Sequence, residues 1–224
     1  SKTEQSTVSG GQLNDADGIH SAIGGGLTNE IGAAGTFATI TGGRENALLG
    51  QGSVAMGVRS RTYRTGQMVH ASGSFTGAAP FGDAQHGRMV LRTTTNNNQV
   101  ELNSNLGLGG SVTANDFLDL ENDTGYFFTL HVVARAVGSP SPQEDAWWSL
   151  EGCIVKENSN LNTFLIPAIG PTPPKGNRGA TTINWRLDVA ADTANGKLRI
   201  VGDSTGYAGD VRWVATLQTT QVGV

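Results

Sequence analysis

A single cysteine, Cys153, stands in the 224 residues. That excludes a disulfide framework and a cysteine-based metal cluster. Charge is also scarce: charged residues make up 15% of the chain and the net charge is −4. Lysine and arginine form no cluster, so the electrostatic footprint needed for nucleic acid or an anionic membrane is missing. No apolar run approaches the ~18 residues of a membrane span. No apolar core follows Ser1-Lys2-Thr3-Glu4, so no signal peptide is read there, which leaves the compartment open. Helical periodicity is missing throughout. Glycine, by contrast, is abundant at 32 residues, well above the usual share of roughly 7%. Asn, Thr and Ser are plentiful too, and this chemistry suits turns and short strands.

The first third repeats itself. Gly10-Gly11-Gln12-Leu13-Asn14 returns as Gly25-Gly26-Leu27-Thr28-Asn29 and as Gly42-Gly43-Arg44-Glu45-Asn46. A degenerate fourth copy is Met56-Gly57-Val58-Arg59-Ser60, and the copies are spaced by 15, 17 and 14 residues. Gly18, Gly35, Gly52 and Gly66 each lead into a short apolar stretch. Each unit therefore reads as Gly, a strand, Gly-Gly, two variable residues, then Asn or Ser. Gly pairs supply the positive φ of tight corners, and Asn tolerates the left-handed region. Ala22, Ala38 and Ala55 are expected at one register, and Ile23, Ile40 and Met56 at the next. The unit is one coil of a parallel β-roll or β-helix, which buries its apolar side by stacking or against a partner chain. The inward residues are small, so one chain's core is thin. The repeat starts within the first ten residues without a cap, and an upstream segment is therefore expected.

The segments Ser21-Ala22-Ile23-Gly24-Gly25-Gly26-Leu27-Thr28-Asn29 and Gly52-Ser53-Val54-Ala55-Met56-Gly57-Val58-Arg59-Ser60 resemble the head repeats of trimeric autotransporter adhesins, which also occur in bacteriophage tail fibres. The resemblance covers residues 5–75 and implies a trimeric left-handed parallel β-roll. The chain departs from that pattern in its irregular spacing and in carrying Gly-Gly where the family often has Ala-x-Gly.

From about residue 76 the texture changes. Residues 77–85 read as a connector. Strands are expected over 88–94, 100–102, 125–137, 146–155, 183–189, 198–200 and 211–217. In the fifth of these, Ile183, Trp185, Leu187 and Val189 alternate with polar or small residues, the period-two signature of a half-buried strand. Asn195-Gly196 marks a hairpin. The long stretches 103–123 and 156–182, the latter with a Pro-rich piece at 167–174, are expected to be loops. Gly82-Asp83-Ala84-Gln85, Trp148-Ser149-Leu150-Glu151-Gly152 and Val211-Arg212-Trp213-Val214-Ala215-Thr216-Leu217 resemble the C-terminal domain of phage tail-fibre proteins, over about residues 82–222. That resemblance implies a virion location. The expected architecture is all-β: β-roll or β-helix repeats over 1–75, a connector and first strand over 76–95, and an antiparallel, jelly-roll-like β-sandwich over 96–224, in an intertwined homotrimer.

Candidate sites are few. His20, His70, His86 and His131 show no metal-binding spacing; His20, in a repeat strand, reads as packed or stacked. Cys153 neighbours Ile154 on a core strand and reads as a buried structural thiol. Asp116, Asp119, Glu121 and Asp123 read as a solvated loop, with loop calcium ligation as the alternative. Paired carboxylates or a nucleophile with its base are not recognisable, so no catalytic residue, metal or cofactor is expected and the chain is read as no enzyme. Trp148 shares parity with Leu150 and Ile154 and belongs to the core, which turns Trp147 outward. Trp147 is the candidate ligand contact, a stacking platform for a sugar, or else it is buried against a neighbouring subunit. Gly10, Gly11, Asn14, Gly25, Gly26, Asn29, Gly42, Gly43, Asn46 and Gly57 are the expected structural residues of the repeat turns. The function expected is that of a structural and receptor-binding part of a phage tail fibre. The expected partners are itself, other virion or appendage proteins, and a host-surface glycan or protein; neither nucleic acid nor membrane insertion is expected. The alternatives are a fibre shaft, adaptor or capsid decoration protein, or a trimeric adhesin head on a bacterial cell surface.

Overall fold

The computed structural model describes residues 5–75, 82–104, 117–138, 144–178 and 184–223. The chain is all-β with a solenoid of about four coils. The described residues divide into two compact units, one comprising residues 5–75, 82–89 and 219–223, the other residues 90–104, 117–138, 144–178 and 184–218. Connector residues 76–81 lie outside the described residues.

In the first unit, each coil carries two short strands. One parallel stack is β1 (Thr7–Val8), β3 (Ala22–Ile23), β5 (Thr39–Arg44), β7 (Val54–Val58) and β9 (Met68–Ser72). The other is β2 (Asp15–Ala16), β4 (Glu30–Ile31), β6 (Ala47–Leu48) and β8 (Arg61–Thr62). The second stack pairs Asp15 with Glu30, Glu30 with Ala47, and Ala47 with Arg61. Those offsets are the 15, 17 and 14 residues read from the Gly-Gly landmarks. The expected register of the first stack needs correction. Ala22 pairs with Thr39 and Ile40 with Ala55, so Ala38, Ala55 and Met56 each stand one residue out of their expected columns. A register shift between Ile40 and Gly43 absorbs the irregular repeat length, because one strand carries an extra residue there.

The core is a narrow column. Ile23, Ile40, Ala55 and Val69 fill one side, Ala16, Ile31 and Leu48 the other, with Ala38 between and Val8 packed against them. Stacking alone buries these side chains; a single coil has nothing to set them against.

The last coil is closed by polar chemistry. The beginning of β10 (Ala84–Asn96) lies antiparallel to β9, with Gln85 opposite Ala71 and Arg88 opposite Met68. Among the described residues no further coil pairs with β8, and the buried Gln85 side chain takes its place. Its Oε1 accepts the Arg61 N–H at 2.9 Å, and its Nε2 donates to the Arg61 carbonyl at 3.0 Å. Nε2 also donates to Gln221 Oε1 at 2.9 Å. One carboxamide thus stands in for the backbone of a missing coil. Gln85→Ala leaves the half-buried N–H and C=O of Arg61 without these partners, a cost of about 2–3 kcal/mol. Thermal unfolding of the variant is expected to come about 5–10 °C lower; an unchanged melting temperature would show that water replaces the cap.

The second unit contains two antiparallel sheets. Besides β10, the strands are β11 (Gln99–Glu101), β12 (Leu118–Asp119), β13 (Thr124–Ala136), β14 (Asp145–Lys156), β15 (Thr163–Ile166), β16 (Gly176–Arg178), β17 (Arg186–Asp192), β18 (Lys197–Asp203) and β19 (Asp210–Gly223). In one sheet β19 neighbours β13, which pairs with β14, and β14 carries β15 and β16 on its far edge. In the other, β18 lies between β17 on one side and β11 and β12 on the other. The β17–β18 hairpin turns at Asn195-Gly196 as expected, with the Gly196 N–H donating to the Asp192 carbonyl at 2.7 Å. The stretch 156–182 is corrected from loop to partly strand, since β15 and β16 lie within it.

The sheets meet through tryptophan. Trp148 and Trp213 rings lie 5.1 Å apart, Trp185 and Trp213 6.0 Å, and Tyr207 meets Trp185 edge-on at 5.5 Å. All three indoles are buried. The Trp213 Nε1–H donates to Thr95 Oγ1 and the Trp148 Nε1–H to the Thr172 carbonyl, so two of these aromatics are buried with their polar groups paired. Gly202 has a specific role: a Cβ there would come within 2.7 Å of the Trp213 ring. Glycine lets β18 lie flat on the indole.

Candidate functional site

The outer face of the β13–β14 sheet is the one that the core does not use. Residues pair across it as Phe127 with Cys153, Thr129 with Glu151, His131 with Ser149, and Val133 with Trp147. On the next strand, Ile166 stands beside Cys153 and Phe164 beside Val155. Phe127, Val133, Phe164 and Ile166 are exposed and Trp147 is 48% exposed. Two apolar patches therefore flank a polar middle.

Trp147 projects on this face because it has the opposite parity to buried Trp148. Its indole lies against Gly176: a Cβ on that residue would approach Nε1 to 2.3 Å. β16 is held there by the Lys175 N–H, which donates to the Trp147 carbonyl at 2.9 Å. Trp147 is thus braced on one side by glycine backbone and open on the other, which suits stacking of a flat ligand. Cys153 falls on the same face. Its expected burial in the core is corrected: it is half-buried, and its parity is that of Trp147.

Charged groups cluster around β18. Lys197 Nζ reaches Glu101 at 3.0 Å and lies 3.7 Å from the Phe117 ring centroid. Burial pushes the Glu101 carboxyl up, opposed by the Lys197 ammonium. Burial acts to raise Asp192 as well, but the Asn195 side chain, the backbone N–H groups of Asn195 and Ala194, and Lys197 outweigh it and hold that carboxyl low. The acidic stretch does not converge. Asp119 pairs opposite Lys197 in the β12–β18 ladder, the Glu121 carbonyl accepts from Thr124 Oγ1, and Asp123 takes a positive φ. Asp116 lies outside the described residues.

In the repeats, Asn14, Asn29 and Asn46 stack. Asn14 Oδ1 accepts both the backbone and the side-chain N–H of Asn29, and Asn29 Oδ1 accepts the same pair from Asn46. Each Nδ2 also donates to the first glycine of its own pair: Asn14 to Gly10, Asn29 to Gly25, Asn46 to Gly42. A further bond reaches the next coil, at Gly26, Gly43 and Gly57 respectively. Gly11 lies below Gly26, where a Cβ would meet the Gly26 carbonyl. Ser60 ends the column, its N–H donating to Asn46 Oδ1. His20 lies in a turn, not a strand, with its ring stacked on Phe37 at 5.2 Å and 2°.

The second strand stack and the Gln85 cap were not expected from the sequence. The stack did leave a signal there: Ala16, Ile31, Leu48 and Thr62 each follow the column residue Asn14, Asn29, Asn46 or Ser60 by two positions. Gln85 had no such signal.

No protein-family profile matches the chain, and no curated protein is similar to it. Phage tailspike proteins are among the solved structures to which it is similar. They include gp49 of Acinetobacter baumannii bacteriophage Fri1, a capsular polysaccharide depolymerase (9% identity, TM-score 0.31, 91% of this chain and 38% of that one). Two more are the tailspikes of Acinetobacter phage vB_ApiP_P1 (11%, 0.28, 96% and 49%) and of Acinetobacter baumannii phage AM24 (9%, 0.34, 94% and 50%). The chain spans half or less of the length of these proteins, and such values support no residue-by-residue correspondence.

The expectation that the chain is no enzyme is corrected at this point, because one of these similar tailspikes is a depolymerase. The physical reason lies in stacking. Asp15 and Glu30 are fifteen residues apart in sequence yet stand side by side on adjacent coils. Inspecting neighbouring acids along the chain does not weigh such pairs, so a missing linear motif is no ground for excluding chemistry.

Proposed function

We propose that the chain is the host-attachment part of a phage tail appendage, working as a homotrimer. The observation that carries this reading is the solenoid: Gly-rich repeats resembling tail-fibre and adhesin-head repeats fold as stacked coils with a narrow core. The outer face of β13, β14 and β15 supports self-association. Exposed Phe127 and Ile166 flank Cys153 on adjacent strands, a contiguous apolar surface for another copy to cover. In this proposal the repeats, residues 1–75, supply length and rigidity. Residues 76–95 connect, and residues 96–224 set the trimer register and carry binding, with Trp147 as a ligand contact on a host-surface glycan or protein. A repeat fragment ending at residue 75 lacks Gln85 and Gln221, and is expected to fold poorly.

Light scattering on the purified chain is the first test. A particle of three times the 23.3 kDa chain mass is expected at micromolar concentration, and a stable monomer contradicts the proposal. Binding of the fluorescent chain to host cells is the second. Trp147→Ala is expected to weaken it about tenfold, the loss of about 1.4 kcal/mol, with the particle mass unchanged. Full attachment by the variant would remove Trp147 from the binding surface.

A further inference from the structure

At one corner of the solenoid, successive coils stack residue on residue. The Phe37 N–H donates to the Ile19 carbonyl, the Gly52 N–H to Thr36 and the Gly66 N–H to Gln51, at 2.8–3.0 Å. These bonds define two neighbouring columns: Ile19, Thr36, Gln51, Thr65, and His20, Phe37, Gly52, Gly66. All four residues of the second column have a left-handed backbone, with φ of 57°, 61°, 61° and 66°. Glycine adopts this conformation without strain, and the last two coils use it. The first two coils instead carry His20 and Phe37, at about 1 kcal/mol each.

The core does not require this choice, because Phe37 is 49% exposed. Its ring is covered on one face by His20, parallel within 2° and 5.2 Å away. On the other face the next layer belongs to Gly52, which has no side chain. The layer beyond belongs to Gly66, where a Cβ would meet nothing within 4 Å. One coil is about 4.8 Å thick, close to the spacing at which His20 already stacks. The corner is therefore an aromatic shelf with no column side chain in the two layers above it. Thr36 and Gln51, both half-buried, stand one residue before Phe37 and Gly52. No residue of the two columns carries a permanent charge.

We propose that this corner is a second carbohydrate site, taking one neutral pyranose ring on the open face of Phe37 in the layer left by Gly52. A pyranose has an apolar C–H face for the phenyl and a rim of hydroxyls for Thr36 and Gln51, and it adds no charge. The inference rests on the host-attachment reading and places a sugar contact in the repeats, far in sequence from Trp147.

The glycine coils supply the test. Phe37→Gly gives the second coil the residue its third and fourth counterparts already carry, and removes the left-handed strain. Gly52→Phe places a ring in the vacant layer, in a conformation that Phe37 itself adopts. Saturation-transfer NMR would use methyl β-glucopyranoside and methyl N-acetyl-β-glucosaminide as probes on full chains that all carry Trp147→Ala, so that the first site adds no transfer and wild type here means Phe37 with Gly52. Wild type is expected to give transfer to at least one of them. Both variants are expected to weaken it about tenfold, while the melting temperature of Phe37→Gly stays level or rises. No transfer in wild type, or transfer that survives in both variants, overturns the site. A fall in melting temperature or particle mass in Phe37→Gly also overturns it, by showing that Phe37 packs between coils or between copies. Host-cell binding measured in parallel separates the two ideas: attachment that persists without any sugar transfer sinks this site alone.

Discussion

Replacing Gly43 by alanine is expected to unfold the repeat unit or bring it close to unfolding. Gly43 has φ of +109°, a conformation that L side chains rarely adopt. A Cβ built there lies 1.9 Å from the Gly57 carbonyl oxygen of the next coil, far inside contact distance. The obstacle is backbone, so no side chain can turn aside. The coil must separate from its neighbour, and the Gly43 carbonyl, which accepts from the Leu27 N–H and Asn29 Nδ2, moves with it. Clash, strain and lost hydrogen bonds together amount to on the order of 4 kcal/mol or more, a large share of the 5–15 kcal/mol typical of a domain. Gly66→Ala is the control. Its φ of 66° is also left-handed, but the added methyl meets nothing, so about 1 kcal/mol is expected. Thermal unfolding of the two variants should differ by about 10 °C. Equal, small shifts would mean that the coils do not stack as closely as described.

Asn46→Ala is expected to cost nearly as much, about 3–5 kcal/mol, through buried polar groups left unpaired. Asn46 is buried, and its side chain serves four partners: it donates to Asn29 Oδ1, Gly42 and Gly57, and accepts from the Ser60 N–H. Alanine leaves those groups dry and unsatisfied. Serine offers a graded comparison, because Ser60 occupies the same column and bonds back to the Met56 carbonyl four residues earlier. Asn46→Ser keeps the bond within the coil and loses the reach to the next one, so roughly half the loss is expected. Denaturant unfolding of the three proteins should rank wild type, serine and alanine in that order. If alanine proves as stable as wild type, water occupies the ladder and the column contributes little.

Much of this was legible in the residues, and unevenly so. The long strands of the second unit announce themselves by alternation: Trp185, Leu187 and Val189 face the core as their period requires. Coil length was legible in Gly-Gly because the second glycine of each pair, Gly11, Gly26 or Gly43, sits where two backbones touch and a Cβ does not fit. Register within the first stack was less so, since Ala22, Ala38 and Ala55 look alike in sequence while the ladder sets Ala22 opposite Thr39 and Ala55 opposite Ile40. Strands of two residues such as Glu30–Ile31 show no period; their spacing from Asn29 is the only sign. Gln85 lies 24 positions from Arg61 and closes a coil through its side chain, which no local pattern announces. The same holds for Asp15 beside Glu30 and for Phe37 beneath Gly52, because the solenoid makes neighbours of residues 14–17 positions apart.

The proposal as a whole turns on where the chain sits in a particle. Electron microscopy of phage particles that carry it, labelled with an antibody raised against residues 96–224, tests that most directly. The expected result is label at the far end of the tail appendage, with attachment to host cells blocked by the same antibody. Label confined to the capsid, or particles that attach normally when fully labelled, would contradict it.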